Sequence, residues 1–180
     1  MPDSAVPTLS VPAAVIQALL EGEQIVDVRL DPSAGGPPEA TRRLWLRPEP
    51  GATPALKPAY RRARELSTPD DAAGSGAVRI AGWAEVTGSA ATVLDDKARE
   101  ALDGKTILDL HGLAGREVRV LVLRAHRLVE PLTVAPDDLT GLPADPASGP
   151  PSEPALSDTA FEARYNGLAQ ALPGGLAPPG

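Results

Sequence analysis

The run from Arg116 to Leu128, REVRVLVLRAHRL, constrains the fold more than any other part of the chain. Val118, Val120 and Val122 alternate onto one side of a strand, and Leu121 and Leu123 onto the other. A strand that is apolar on both sides must be covered on both sides, so the segment predicts a long central strand. Polar groups return at Arg124, His126 and Arg127, where that strand should emerge. A second strand is predicted over Val78–Val86 (VRIAGWAEV), with Val78 and Ile80 on one face.

Ala14 to Leu30 reads as a hairpin: AVIQALL, a short turn around Glu21-Gly22-Glu23, then QIVDVRL. The competing reading is a helix capped by Ser10 and stopped at Gly22, because Ala, Leu and Gln favour helix. Two short helices are better marked. Pro58 suits the first helical position before AYRRAREL, ending near Ser67. Asp95 suits the cap of DKAREAL, with Leu94 outside it as a staple and Gly104 just past the end. Ser67 to Gly76 (STPDDAAGSG) has the chemistry of a surface loop. Strands and helices without regular alternation predict an α+β domain: a mostly antiparallel sheet, a long central strand and two short helices. No internal repeat is visible.

Composition divides the chain after Ala135. Residues 136–180 hold only seven Leu, Ile, Val or Phe, six acids, one base (Arg164) and nine of the 21 prolines. A segment so poor in large apolar groups is expected to be a disordered, acidic, Pro-rich tail, leaving 1–135 as the single domain. One piece of the tail is organised. Over 157–172, Phe161, Tyr165, Leu168 and Leu172 recur at helical spacing, behind a cap at Ser157 or Asp158. Such a stripe must dock on its own domain, fill a partner's groove, or stay unfolded.

Composition also narrows the function. The chain has no cysteine, which removes disulfides, zinc ribbons and thiol catalysis. No run approaches 18 apolar residues, so no membrane partner is expected. A net charge of -7 argues against the whole chain as a polyanion binder. Met1 to Ser10 carries no Lys or Arg and two prolines, unlike a secretory signal, so the cytoplasm is the expected compartment. Fourteen arginines against three lysines, with 30 alanines, match a GC-rich coding bias, which weakens any case that one arginine was selected for its chemistry.

Four segments fall into a known order. ALLEGEQIVDVR (18–29), LKPAY (56–60), VRIAGWAEVT (78–87) and VRVLVLRAHRLVEPLTV (118–134) resemble, in sequence and spacing, an uncharacterised bacterial family known as domain of unknown function 1802. The resemblance covers roughly residues 13–135 and implies a domain end near Ala135. It also implies a basic, glycine-containing turn after the first hairpin, a Pro-Thr-Tyr segment with a nearby histidine, and a closing Ser-Trp segment. This chain has LDPSAGG (30–36), RPEPGAT (47–53) and the Pro-rich tail instead. A site built from those motifs in relatives is therefore largely absent here.

Catalytic chemistry has little support. Neither Ser75 in AAGSGA nor Ser89 in VTGSAA makes a G-x-S-x-G elbow, and the glycine clusters lack phosphate-loop spacing. Asp109 and His111 would share a strand face, but two ligands with His126 elsewhere do not make a metal site. No metal or cofactor is expected. The paired carboxylates Asp70-Asp71, Asp95-Asp96 and Asp137-Asp138 suit loops and caps. Arginines carry the strongest binding signal: Arg42, Arg43 and Arg47 flank Trp45; Arg61, Arg62 and Arg64 line one helix; Arg124, His126 and Arg127 close the long strand. If the sheet gathers Arg42, Arg43, Arg47, Arg124, His126 and Arg127 around Trp45, they form a basic patch with a stacking surface, as nucleic-acid readers do. Pairing with carboxylates such as Glu85 or Glu117 would remove that case.

The sequence therefore points first to a small non-catalytic binding domain, more a binder than an enzyme, with Phe161, Tyr165, Leu168 and Leu172 as a tail motif for a protein partner. A nucleic-acid-associated protein using the arginine patch is the alternative. A degenerate member of an enzyme-like family comes third.

Overall fold

In the computed structural model, which describes residues 6–30, 43–49, 56–58, 60, 77–135 and 138–178, the Arg116–Leu128 run lies within β5 (Glu117–Val134). β5 pairs antiparallel with β4 (Val78–Val93) along almost its whole length. Its other side is shared by β2 (Val26–Arg29), opposite residues 119–122, and β6 (Ser152–Pro154), opposite residues 126–128. β3 (Arg43–Pro48) is antiparallel to β4, and β1 (Thr8–Val11) is parallel to β3. The order is β1-β3-β4-β5-β2, with β6 also on β5. The fold is α+β around a mixed, mostly antiparallel sheet of six strands.

The two-sided pattern of β5 is realised. Leu121, Leu123 and Ala125 pack with Leu9, Val11, Leu44 and Leu46 on one side of the sheet. Val118, Val120 and Val122 pack with Ile25, Val26 and the later helices on the other. Val120 and Leu121 are both buried, on opposite faces. The sheet is strongly curled: Arg29 on the β2 edge donates to the carbonyl of Ser10 on the β1 edge at 2.8 Å. Two register shifts in β4, between Ile80 and Gly82 and between Val86 and Gly88, add the local twist that curling requires. Gly82 is needed for close approach, since a Cβ there would lie 2.4 Å from the backbone oxygen of His126.

The expected hairpin at Ala14–Leu30 is a helix followed by a strand. α1 spans Ala13–Leu20, and only the second arm is extended, as β2. Val15, Ile16, Leu19 and Leu20 are buried at helical spacing, filling the inner face of the curled sheet. Helix propensity decides the matter, but Pro12 rather than Ser10 occupies the N-cap. Gly22, at φ +75°, takes the left-handed position just past the end. α2 (Asp96–Leu102) begins at Asp95, whose carboxylate accepts from the Ala98 N–H at 2.8 Å, and Leu94 is buried before it. Of the helix expected after Pro58, only Pro58 and Tyr60 lie among the described residues.

The expected tail is the largest correction. Residues 138–178 are ordered against the domain rather than hanging from it. Leu142 joins Trp45, Ile80, Trp83 and Leu128 in one buried cluster. β6 adds to β5. α3 (Asp158–Ala171), capped by Ser157, buries Phe161, Leu168 and Leu172 against Val118, Val120, Leu102 and Leu110, with Tyr165 packed beside them. Ala177 then pairs with Ser89 through N–H···O contacts of 3.0 and 2.7 Å. Average composition hid this, because seven large apolar residues spaced to meet one sheet face are enough to order the segment. The 157–172 stripe is thus spent on the chain's own core. No helix among the described residues is long and apolar enough to cross a membrane.

Two expected outcomes follow from this packing. Leu121→Ala should cost about 2–5 kcal/mol in urea unfolding, the range for emptying a packed core position. Truncation after Ala135 should remove most of the cooperative transition, because burial of Phe161, Leu168, Leu172 and Leu142 is worth about 1.5–3 kcal/mol each. A truncated chain melting within a few degrees of the full one would contradict the docked arrangement.

Candidate functional site

Strand register gathers the polar residues that sequence alone left scattered. On β3, β4 and β5, Arg43 stands opposite Glu85, and Glu85 opposite Arg124. One step along, Trp45 stands opposite Trp83, and Trp83 opposite His126. Alternation puts both rows on the same side of the sheet. That side carries α2 and α3 over its β2–β5 half, whereas residues 139–152 cover the tryptophan end. The Arg43–Glu85–Arg124 row lies where these two covers part.

Each arginine meets a carboxylate from a cover. Arg43 pairs with Asp145 at 3.2 Å, next to the short helical turn Pro146–Ser148. Arg124 pairs with Asp158 in the first turn of α3, and its guanidinium carbon sits 5.6 Å from the centre of the Phe161 ring. The Glu85 side chain, between them, makes no ion pair or side-chain hydrogen bond to another described residue, and its charge acts on His126. His126 stacks on Trp83 with ring centres 3.9 Å apart and planes 3° from parallel. Burial chiefly holds its pKa below the usual histidine value, with Arg124 and Arg43 acting in the same direction and Glu85 against them.

The expected patch is therefore only partly assembled. Arg43, Arg47, Trp45, Arg124 and His126 share a face. Arg127 projects to the other face of β5, with Glu153 as its cross-strand neighbour on β6. Arg42, Arg61, Arg62 and Arg64 lie outside the described residues. Trp45 is fully buried, and its indole N–H donates to the Pro143 carbonyl at 2.9 Å. It offers no open ring for a base to stack on. Asp145 and Asp158, the partners that offset the arginines, gave no local sign, since Arg43 and Asp145 are separated by 102 positions.

The thin metal constellation is occupied otherwise. Asp109 accepts from the backbone N–H of His111 at 3.0 Å, and His111 lies on a short helical turn, not a strand. Its Nδ1 is 3.1 Å from an Arg99 nitrogen, and since arginine only donates, Nδ1 accepts. Asp95 is used as a helix cap, and Asp96 pairs with Arg99. Asp138 accepts from Thr140, which lowers its pKa; Asp70, Asp71 and Asp137 lie outside the described residues.

A family described as Domain of unknown function (DUF1802) matches residues 8–166. The chain belongs to that family. The family match continues well past Ala135 and takes in β6 and the first turns of α3, including Phe161 and Tyr165. The charged row and both of its covering carboxylates thus fall within the family region. No curated protein matches the chain. Among solved structures, a crystal structure of a mutant ZmASCH protein from Zymomonas mobilis is similar, with a TM-score of 0.45 and 13% identity over 91% of this chain and 96% of that one. A likeness that loose bears on neither mechanism nor ligand.

The histidine sets a pH dependence. A depressed folded-state pKa means that the unfolded chain takes up a proton first as pH falls below the ordinary value of 6.5. Stability should therefore decline from 6.5 downwards until the folded His126 also protonates. His126→Phe keeps a ring against Trp83 and removes the titration, so the decline over that interval should flatten in melting curves taken against pH.

Proposed function

We propose that the chain is a non-catalytic binding domain, that the Arg43–Glu85–Arg124 row with His126 beside it is the contact surface, and that the ligand is a mixed-charge polypeptide segment. The observation that carries this reading is the alternation of sign along the row, with Asp145 and Asp158 at its two ends. Such a surface is close to neutral and exerts little long-range pull on a polyanion. At short range it presents donors and an acceptor in fixed order, with cross-strand side chains about 4.5–5.5 Å apart at Cβ, which suits recognition by complementary charges. Among the described residues the Glu85 carboxylate has no cation paired to it, which suits it to accept from a lysine, an arginine or a backbone amide of the ligand. His126 is packed on Trp83, and that favours a fixed edge of the surface over a proton shuttle.

Nucleic-acid contact is the second reading: Arg43, Arg124 and His126 lie on one face, but the pairing of both arginines with carboxylates counts against it. It requires phosphates to displace Asp145 and Asp158 from their arginines.

Two measurements on the full chain test this. In selection from a phage-displayed random peptide library, enriched clones should lose binding about tenfold or more on Glu85→Ala or Arg43→Ala, as hot-spot charges do. Absence of enrichment, or clones indifferent to both changes, overturns the reading. In the second, a fluorescein-labelled single-stranded RNA is titrated by anisotropy at low and moderate salt. No binding is expected. Steeply salt-dependent binding that Arg43→Ala abolishes would replace the peptide reading with the nucleic-acid one.

A further inference from the structure

Asp27 lies on β2, an edge strand, opposite Leu121, and so faces the inside of the curled sheet. Only 4% of it is exposed. Burial raises its pKa above the ordinary carboxylate value of 3.8 despite the pull of Arg29, and Glu49 pushes the same way as burial. Arg29 Nε donates to the Asp27 carboxylate at 2.6 Å. The far end of the same guanidinium donates to the Ser10 carbonyl on β1, the opposite edge of the sheet. Among the described residues, β1 pairs only with β3, and β2 only with β5. Among those residues no strand pairing joins the two edges. One arginine spans the seam, and one buried carboxylate aims it.

We propose that the Asp27–Arg29 pair is a latch on the β1–β2 seam: while it is formed the curled sheet is closed, and when it is lost the two edges part as β3, β4 and β5 keep their pairing. The physical reason lies in the cost of an unpaired charge. A guanidinium that is mostly buried and stripped of its counter-charge moves toward water, and in doing so it leaves the Ser10 carbonyl. β1 and β2 have four residues each, and among the described residues no strand ladder crosses the seam, beneath which Leu9, Val11 and α1 share one apolar cluster. The ladder of β4 and β5, by contrast, runs from the Val78–Val134 pair to the Val93–Glu117 pair and does not depend on Arg29. Protonation of Asp27 would release the latch in the same way as removing its charge, Arg29 and Glu49 being the charged groups that face it.

Amide hydrogen exchange on the full chain at neutral pH tests the proposal. Asp27→Asn should speed exchange in Thr8–Val11 and Val26–Arg29 by about tenfold or more, while Val118–Leu123 stays near the wild-type rate. Arg29→Lys keeps a cation for Asp27 but has a single head that cannot also reach Ser10, so it should produce the same local opening. This second variant decides the case if Asp27→Asn fails to fold. Unchanged exchange at both edges in a folded variant, or an equal rise in Val118–Leu123 with Arg29→Lys, overturns the latch.

Discussion

Everything in this fold hangs on the pairing of β4 with β5, two strands of 16 and 18 residues. Because β5 is apolar on both faces, it cannot be stable until both faces are covered, and each remaining element is recruited to one of those tasks. α1 and the β1–β3 side supply one cover; α2, α3 and the segment after Ala135 supply the other. The register shifts in β4 then turn a ladder that would otherwise be nearly flat into a curled one, which brings the two sheet edges within reach of a single arginine.

Elements whose pattern is local were readable from sequence. Val118 to Leu123 specifies its own burial on both sides, and Asp95 with Leu94 and Gly104 specifies both ends of α2. The stripe from Phe161 to Leu172 specifies a helix, although nothing local says what covers it. Two segments depart from the sequence expectation for opposite reasons. AVIQALL reads as the first arm of a hairpin, but its buried positions, Val15, Ile16, Leu19 and Leu20, fall at helical spacing. For 136–180 composition gives only an average, and in the described part, 138–178, stability responds to the few side chains that are placed well. Leu142, Phe161, Leu168 and Leu172 are fully or nearly buried among long stretches that contribute little.

The charged row was only half legible. Alternation along β3 and β5 correctly puts Arg43 with Trp45 and Arg124 with His126. What no single strand can show is which residues stand across from them, since a one-residue slip would move Glu85 to the other face. Nor does alternation reveal that Trp45 is roofed by Pro143, so an aromatic beside arginines reads as a stacking platform although it is core. The carboxylates that offset the arginines come from the segment with the least apparent structure, and the acidity of that segment now has a physical account. Asp145 and Asp158 set opposite charges against Arg43 and Arg124, while the apolar contacts of Leu142, Phe161, Leu168 and Leu172 hold the cover on the sheet.

The two arginine systems also differ in kind. Arg43 and Arg124 meet their carboxylates at the surface, where solvent screens the pair and either partner can be exchanged at little cost. Arg29 meets Asp27 inside the curl, where the same chemistry is expensive to form and more expensive to break. An aliphatic pair at the seam would pack as well, but would leave the Ser10 carbonyl without the donor that now reaches it. A charged pair ties closure of the sheet to one electrostatic contact, and it separates the behaviour of the edges from that of the central ladder. On the proposed reading, a domain built this way would keep the Arg43–Glu85–Arg124 row fixed on β3, β4 and β5 while its edges respond to a change in a single charge.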